Sequence, residues 1–196
     1  MATIQISKFP LMLAITGLIG SGKSLVASVV REAGFEVLDA DSLAHKFYRE
    51  NADLRKKIAE EFGDEAIDEN GINRPYISQI VFNDEKKLCL LESIVHPILQ
   101  HEIEKINPPF VEAAVLYKWQ DFAKKMKEIW IVQADENIRK ERLLKKGMSK
   151  SDIERRMKMQ RDMGHGTWDM VYIDNNGLPE VCIDFTKCLI KKIQHI

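Results

Sequence analysis

Apolar and polar positions follow two periods along this chain, one typical of buried strands and one typical of amphipathic helices. An apolar run at 11–15 predicts a buried strand, and apolar residues recur at helical spacing over 25–33. Further strand-like runs, each followed by helix-forming sequence, lie at 37–38, 110–116, 129–134 and 170–174. Alternating strands and helices build a parallel sheet covered by helices. The pattern therefore predicts an α/β fold with a five-stranded parallel sheet.

The middle of the chain carries helical periodicity. The segment from Ser42 through Tyr48 predicts one helix, and 54–62 predicts a second. The polar, glycine-containing segment 63–73 indicates a loop. The remaining helices of this section are predicted at 74–82, 85–95 and 97–106, with Pro97 in the first turn of the last.

A charged helical pair is predicted between the last two strands, at 137–146 and 151–160. Ser149, with Asp152 three residues later, resembles a capping box for the second helix. The polar side chains of interest in the pair are Arg139, Arg142, Lys145, Lys146, Arg156 and Gln160. Positioned cations can neutralise charge on a transferring phosphoryl group, but charged helices are also typical of a solvated surface. Both interpretations stay open at this point.

Composition is typical of a globular protein with a sizeable core. Of 196 residues, 45% are hydrophobic and 30% are charged, which suits one globular unit with a small subdomain. The net charge of −1 argues against a surface that coats nucleic acid or an anionic membrane. The apolar runs are too short to span a bilayer. We therefore expect neither a nucleic-acid nor a membrane partner.

The three cysteines, Cys89, Cys182 and Cys188, have no C-x-x-C spacing. An odd number of cysteines without a secretory signal favours reduced thiols and a cytoplasmic location. We expect these residues to serve in packing. Residues 1–8 precede the first predicted strand and are expected to form a loosely ordered extension.

One segment fits a phosphate-binding loop. Gly17 to Ser24 match the pattern G-x-x-x-x-G-K-[ST] between the first predicted strand and the first predicted helix. Glycines let backbone N–H groups approach phosphate oxygens, and the helix N-terminus adds a positive dipole end. Lys23 is placed to reach the β- and γ-phosphates, and the Ser24 hydroxyl is placed to ligate Mg²⁺. The sequence therefore predicts a nucleotide-binding site here.

An ordered set of short motifs continues from this loop to the last predicted strand. The set comprises Asp39-Ala40-Asp41, Phe62-Gly63-Asp64, Asn73-Arg74, Val81-Phe82, Leu91-Glu92, His96-Pro97, Arg156 with Gln160, and Ile173-Asp174-Asn175-Asn176-Gly177. Together, over about 13–177, these residues resemble the dephospho-coenzyme A (dephospho-CoA) kinases. The resemblance implies a phosphate-loop kinase fold. It also implies phosphoryl transfer from ATP to the ribose 3′-hydroxyl of dephospho-CoA, the last step of CoA synthesis.

The loop pattern and the resemblance together assign roles to single positions. Asp41 is expected to be the base that accepts the proton of the acceptor hydroxyl, and Lys23 and Arg142 are expected to act in catalysis with it. His45 and Arg74 are expected to bind the acceptor together with Asp41. The expected ATP-site residues are Gly17, Gly20, Ser21, Gly22, Lys23, Ser24, Leu25 and Asn176, with Ser24 as the metal ligand.

Several positions have a second interpretation. Asp39 and Asp41 also suit the N-terminal cap of the following helix. Arg74 suits an exposed helix start, and Asn176 suits a turn. Large aromatic side chains that could stack on an adenine more often pack in a core; here these are Trp119, Trp130 and Trp168.

The chain departs from the family pattern on the acceptor side. His45 stands where family members commonly have an arginine, and Lys118 stands where they often have a glutamate. A histidine contact to phosphate requires protonation and would be pH-sensitive. In the ATP-binding part, Leu18 and Leu25 replace a common glycine and threonine, and a lysine replaces the usual lid arginine. The resemblance therefore defines ATP use more sharply than acceptor preference.

The predicted organisation has three parts. They are a nucleotide-binding core at 1–43, 109–135 and 165–196, a helical acceptor-binding section at 44–108, and a lid at 136–164. Closure of a lid would exclude water and favour transfer over hydrolysis. We expect ATP and Mg²⁺ as cofactors, dephospho-CoA as the small-molecule partner, and a monomer or small homo-oligomer.

Two other functions stay open from the sequence. One is another small-molecule or nucleoside-monophosphate kinase, which the acceptor-side departures allow. The other is a nucleotide-binding regulator without transfer chemistry, against which the presence of Lys23, Ser24 and Asp41 argues.

Overall fold

The main sheet has the five parallel strands that the apolar pattern predicts. The computed structural model describes residues 12–82, 84–160 and 169–194. In chain order the strands are β1 (Leu13–Thr16), β2 (Val37–Asp39), β3 (Ile67–Asp68), β4 (Gly71–Ile72), β5 (Phe110–Glu112), β6 (Glu128–Gln133) and β7 (Met170–Asp174). The main sheet has the order β2-β5-β1-β6-β7, and each pairing in it is parallel. β1 is thus the central strand, and the loop after it leaves the middle of the carboxyl edge.

Helices follow the strands as the alternating pattern predicts, which confirms the α/β fold class. In chain order they are α1 (Lys23–Glu32), α2 (Ala40–Glu50), α3 (Ala52–Phe62), α4 (Arg74–Phe82), α5 (Glu85–Ile106), α6 (Gln120–Ala123), α7 (Glu136–Lys145), α8 (Lys150–Met159) and α9 (Pro179–Gln194). Ser149 is the N-cap of α8, since the Asp152 N–H donates to Ser149 Oγ at 3.2 Å. The Asp152 carboxylate accepts from the Ser149 hydroxyl at 2.9 Å, whereas in a capping box it would accept from the Ser149 N–H.

Some predictions fall outside the described residues. These are the extension at 1–8, the first residue of the strand predicted at 11–15, Trp168, and the end of the predicted lid beyond Gln160.

The described chain divides into two compact units. The first contains the residues up to Asp39 and those from Asn107 on, and the second is Ala40–Ile106. In the first unit, α1 and α9 pack on the sheet, and Phe110 lies between Phe35 and Trp130 with ring centroids 5.6 and 5.3 Å away. Trp119 and Trp130 are 2% and 0% exposed. These two tryptophans therefore pack in the core rather than offering a stacking surface.

In the second unit, the prediction of separate helices at 85–95 and 97–106 is wrong. A single helix, α5, continues through Pro97. Its buried residues are Val95, Leu99 and Ile103, which are spaced four apart and form one face across the proline. α5 packs against α3, so burial of this face keeps the helix continuous although Pro97 has no N–H to donate.

The segment 63–73 was predicted to be a loop. It also contains a short antiparallel pair of strands, β3 and β4. Each strand has two residues, too few to show an alternating pattern. The Asn70 N–H donates to Asp68 Oδ1 at 2.7 Å and forms the turn between them.

The strand predicted at 110–116 is shorter than expected. β5 ends at Glu112, and Leu116–Lys118 form a 3₁₀ turn. The apolar run continues beyond the strand because Leu116, in that turn, is fully buried. An apolar run records burial and does not distinguish a strand from the turn after it.

No helix among the described residues is long and apolar enough to cross a membrane. All three cysteines are free thiols. Cys182 is buried, whereas Cys89 and Cys188 are exposed, so the expected packing role applies to Cys182.

We expect Gly71→Ala to destabilise the protein more than Gly34→Ala. Both glycines have positive φ, 113° and 91°, which costs about 1 to 2 kcal/mol for another residue. A Cβ at Gly71 would also meet the backbone of Tyr48 and Arg49, whereas nothing lies within 4 Å of one at Gly34. The difference should be at least about 1 kcal/mol in the free energy of unfolding measured with urea. Equal losses would contradict the close contact at Gly71.

Candidate functional site

The phosphate loop connects β1 to α1 at the carboxyl edge of the sheet. β1 ends at Thr16, and α1 begins at Lys23. The cap residue Gly22 is left-handed, with φ of 104°, and a Cβ there would collide with the side-chain nitrogen of Asn175. The first turn of α1 therefore opens directly onto the loop, as an anion-binding helix N-terminus requires.

Lys23 and Ser24 are the side chains that the loop pattern assigns to the nucleotide. Lys23 Nζ donates to the carbonyl of Gly17 at 2.8 Å, so the ammonium lies against its own loop. Ser24 Oγ donates to Glu112 Oε1 at 3.2 Å. Both side chains line one cavity of about 400 Å³, which makes them available to the same ligand.

Glu112 is a candidate site residue that sequence reasoning missed. It ends β5 and is 9% exposed. Burial raises the pKa of its carboxyl and Asp39 raises it further, whereas Lys23, the Ser24 hydroxyl and Arg31 lower it. In the sequence Glu112 lies inside the run predicted as one long strand. The signal that could have identified it, an acid ending the strand beside β1, depends on the sheet order.

Two cavities adjoin the loop, and the eight predicted ATP-site residues divide between them. A cavity of about 310 Å³ is lined by Gly17, Ser21 and Asn176. The cavity of about 400 Å³ is lined by Gly20, Gly22, Lys23, Ser24 and Leu25. Both cavities belong to the first compact unit.

Arg142, predicted to be catalytic, also lines the larger cavity. Its Nη1 donates to the Ser21 carbonyl at 3.2 Å, and its Nη2 donates to the Asn175 carbonyl at 2.8 Å. The guanidinium thus joins the phosphate loop to the turn after β7. Lys145, the last residue of α7, and the cap residue Lys146 line the same cavity, so α7 and its C-cap contribute three cationic side chains to it.

Asn176 lies in the turn after β7. Its Oδ1 accepts the Asp135 N–H at 2.7 Å, and its Nδ2 donates to Asp174 Oδ1 at 2.6 Å. These contacts agree with the turn interpretation. The neighbouring Asn175 is 3% exposed and donates to the Ser21 carbonyl at 2.7 Å, so the turn is tied to the loop.

The predicted acceptor-binding residues lie in the second unit. Asp41 is in the first turn of α2, His45 follows one turn later, and Arg74 begins α4. All three side chains are exposed. Asn73 precedes α4, and its Oδ1 accepts the Tyr76 N–H at 3.2 Å, which sets the helix start at Arg74.

Tyr48 joins this group and was not singled out from the sequence. It lies on the same face of α2 as Asp41 and His45. Its ring centroid is 6.5 Å from that of His45. Burial raises the pKa of the Tyr48 phenol, Arg74 lowers it, and Asp41 and Glu92 raise it. Arg74, Asp41 and Glu92 are therefore close enough to Tyr48 to shift the pKa of its phenol.

The described residues hold no group of three or more His, Cys, Asp or Glu that could bind a metal ion by themselves. A divalent cation here would need oxygen ligands from a nucleotide as well as from the protein. Ser24 Oγ beside the Glu112 carboxylate offers two such oxygens.

Comparisons with known proteins show the family of this chain. The family model for dephospho-CoA kinase matches residues 11–180. A relative named dephospho-CoA kinase, from Aquifex aeolicus, is 39% identical over 189 residues, which is 92% of this chain and 94% of the relative.

Solved structures are similar over nearly the whole chain. The Thermus thermophilus protein TT1252 is 28% identical, with a TM-score of 0.71 over 94% of this chain and 98% of that one. A dephospho-CoA kinase from Campylobacter jejuni is 21% identical, with a TM-score of 0.64 over 93% and 96%, and shows the shared fold. From the family model and the Aquifex relative, we conclude that this chain belongs to the dephospho-CoA kinase family.

Proposed function

We propose that this protein transfers the γ-phosphoryl group of ATP to the ribose 3′-hydroxyl of dephospho-CoA and so forms CoA. The observation that carries the proposal is the phosphate loop, whose Lys23 and Ser24 line one cavity in a chain of this family. The proposed setting is the cytoplasm, with the protein as a monomer or small homo-oligomer.

The proposed contacts with the ATP phosphates are electrostatic interactions. The phosphates would lie on the loop N–H groups at the start of α1. Lys23 would exchange its contact with the Gly17 carbonyl for a phosphate oxygen, which is a stronger acceptor because it is charged. Arg142, Lys145 and Lys146 add positive charge at the same cavity. This positive charge offsets the negative charge that develops on the transferring phosphoryl group.

Ser24 and Glu112 would hold Mg²⁺ together with the phosphates. A hydroxyl and a carboxylate are oxygen ligands of the kind that Mg²⁺ takes, and the two are already hydrogen-bonded at 3.2 Å. When bound, the ion supplies charge neutralisation of the β- and γ-phosphates. Asp39, which raises the Glu112 pKa, adds a second negative charge near this position.

On the acceptor side, Asp41 would accept the proton of the 3′-hydroxyl. Phosphoryl transfer is usually loose, so its main contribution is to orient the hydroxyl. Arg74 would bind a phosphate of the acceptor, and His45 would add a contact that depends on its protonation. We propose residues 44–108 as the acceptor-binding section and 136–164 as a lid, with the remaining residues as the nucleotide-binding core.

The first test measures ADP formation from ATP and Mg²⁺ with and without dephospho-CoA, and the mass of the product. We expect acceptor-dependent ADP and a product heavier by one phosphoryl group. Lys23→Ala serves as the negative control, with turnover lower by about a hundredfold. ADP formed only with another acceptor from a nucleoside and sugar panel would overturn the choice of substrate. ATP binding without turnover of any acceptor would favour a regulator.

Asp41→Asn should lower kcat by about a hundredfold or more while the Kd for ATP is unchanged, because the contact of Asp41 with the acceptor hydroxyl contributes only to transfer. The melting temperature should stay the same, since Asp41 is exposed. Asp53→Asn is the matched control, because Asp53 is the exposed first-turn acid of α3. A lower melting temperature with normal kcat would instead support a capping role for Asp41.

Glu112→Gln should raise the Mg²⁺ concentration for half-maximal activity by about tenfold, because the amide keeps the shape but not the charge. The same variant should weaken the Mg²⁺-dependent gain in ATP affinity, measured by calorimetric titration with and without the ion. Glu60→Gln, on the exposed face of α3, is the control. An unchanged Mg²⁺ requirement would remove Glu112 from the proposed metal site.

A further inference from the structure

The peptide groups around Ile19 in the phosphate loop are held by the segment that follows β6. The Ile19 N–H donates to Gln160 Oε1 at 2.5 Å, and the Ile19 carbonyl accepts from Arg139 Nη1 at 3.4 Å. Arg139 lies on α7, and Gln160 directly follows α8. Ile19 is a free position of the loop pattern, so these contacts are not dictated by the motif.

Gly20 gives independent evidence that α7 lies against the loop. The loop pattern does not require glycine at this position. A Cβ at Gly20 would be 2.9 Å from the Arg139 carbonyl oxygen and 3.1 Å from the Arg139 Cα. A side chain at residue 20 would therefore push the loop away from α7.

Arg139 is buried, with 8% of its surface exposed. Its Nε donates to the Ala134 carbonyl at 3.1 Å, which fixes the guanidinium beside Ile19. None of the ion pairs found among the described residues includes Arg139. Its hydrogen-bond acceptors are carbonyls, and its charge, together with the larger effect of Lys140, lowers the pKa of the exposed Glu136 carboxyl on the same helix. A buried cation is stabilised by a further anion nearby, which suits a position next to a polyphosphate site.

A cavity adjoins this part of the loop. It has a volume of about 310 Å³ and is lined by Leu18 and Ser21 of the loop, by Val132 of β6 and by Arg139. Ser21 Oγ, in the same wall, is buried and has no hydrogen-bond partner among the described residues. The hydrogen bonds to the Ile19 peptide groups and the close contact between Gly20 and Arg139 together constrain the conformation of the loop here.

The planarity of the peptide bond gives the Arg139 contact a function. The Ile19 carbonyl and the Gly20 N–H belong to one trans peptide and point in opposite directions. Because Arg139 holds the carbonyl toward α7, the Gly20 N–H points away from α7 and is left for a ligand. Arg142 and Asn175 hold the Ser21 carbonyl and turn the Gly22 N–H in the same way. Two arginines one turn apart on α7 thus orient two peptides of the cradle.

We infer that Arg139 is a positioning residue for the ATP phosphates, acting through the orientation of the Ile19–Gly20 peptide. Arg139 needs no contact with the nucleotide for this role. The inference rests on the proposed function for the identity of the nucleotide, but not for the acceptor.

The test is the Kd for ATP with Mg²⁺, measured by calorimetric titration without acceptor for wild type, Arg139→Gln and Arg139→Lys. We expect about tenfold weaker binding for Arg139→Gln, which loses the charge-assisted bond to the loop. Arg139→Lys should stay several-fold weaker, because an ammonium lacks the planar fork that holds both Ala134 and Ile19. The control is Lys140→Gln, which removes a surface charge paired with Glu136 and should bind within twofold of wild type.

Steady-state kinetics separate positioning from loss of structure. In both Arg139 variants, KM for ATP should rise with the Kd while KM for dephospho-CoA stays constant. Wild-type affinity in Arg139→Lys would show that only charge matters and would overturn the positioning role. So would a fall in kcat with both KM values unchanged. If Arg139→Gln does not unfold cooperatively, it is not natively folded, and the comparison of wild type with Arg139→Lys then decides the test. A wild type that binds ATP but ignores dephospho-CoA would count against the proposed function alone.

Discussion

The planar peptide bond is the constraint on which this site depends. A loop that turns its N–H groups inward to bind phosphates must turn its carbonyls outward. Those carbonyls then need donors from the surrounding structure. Arg139, Arg142 and Asn175 supply them at Ile19 and Ser21. The elements after β6 and β7 are therefore part of the proposed phosphate site, although the loop motif ends at Ser24.

The sheet order explains why the two sides of the loop differ. β5 is paired with β1 on one side, which brings Glu112 to Ser24 and forms the position suited to a cation. β6 is paired with β1 on the other side, and the arginines of α7, the helix after β6, donate to the Ile19 and Ser21 carbonyls of the loop. A chain with a net charge of −1 thus concentrates positive charge where a polyanion would bind.

Much of the fold could be predicted from the sequence because burial leaves a clear apolar pattern. The five strands, α1, and the N-cap at Ser149 follow from that pattern and from local hydrogen bonding. The prediction that a helix breaks at Pro97 was wrong, because the packing of one continuous helix outweighs the loss of one hydrogen bond. The β3–β4 pair was missed because strands of two residues carry no period.

By itself, the sequence determined the fold class, the phosphate loop and the resemblance to a kinase family, because each is read from short local patterns and from their order along the chain. Only the tertiary structure decided that Glu112 meets Ser24 and that Arg139 meets Ile19, contacts that span 88 and 120 positions. Such contacts depend on which strands lie side by side. The apolar pattern records that a strand is buried but does not record its neighbour.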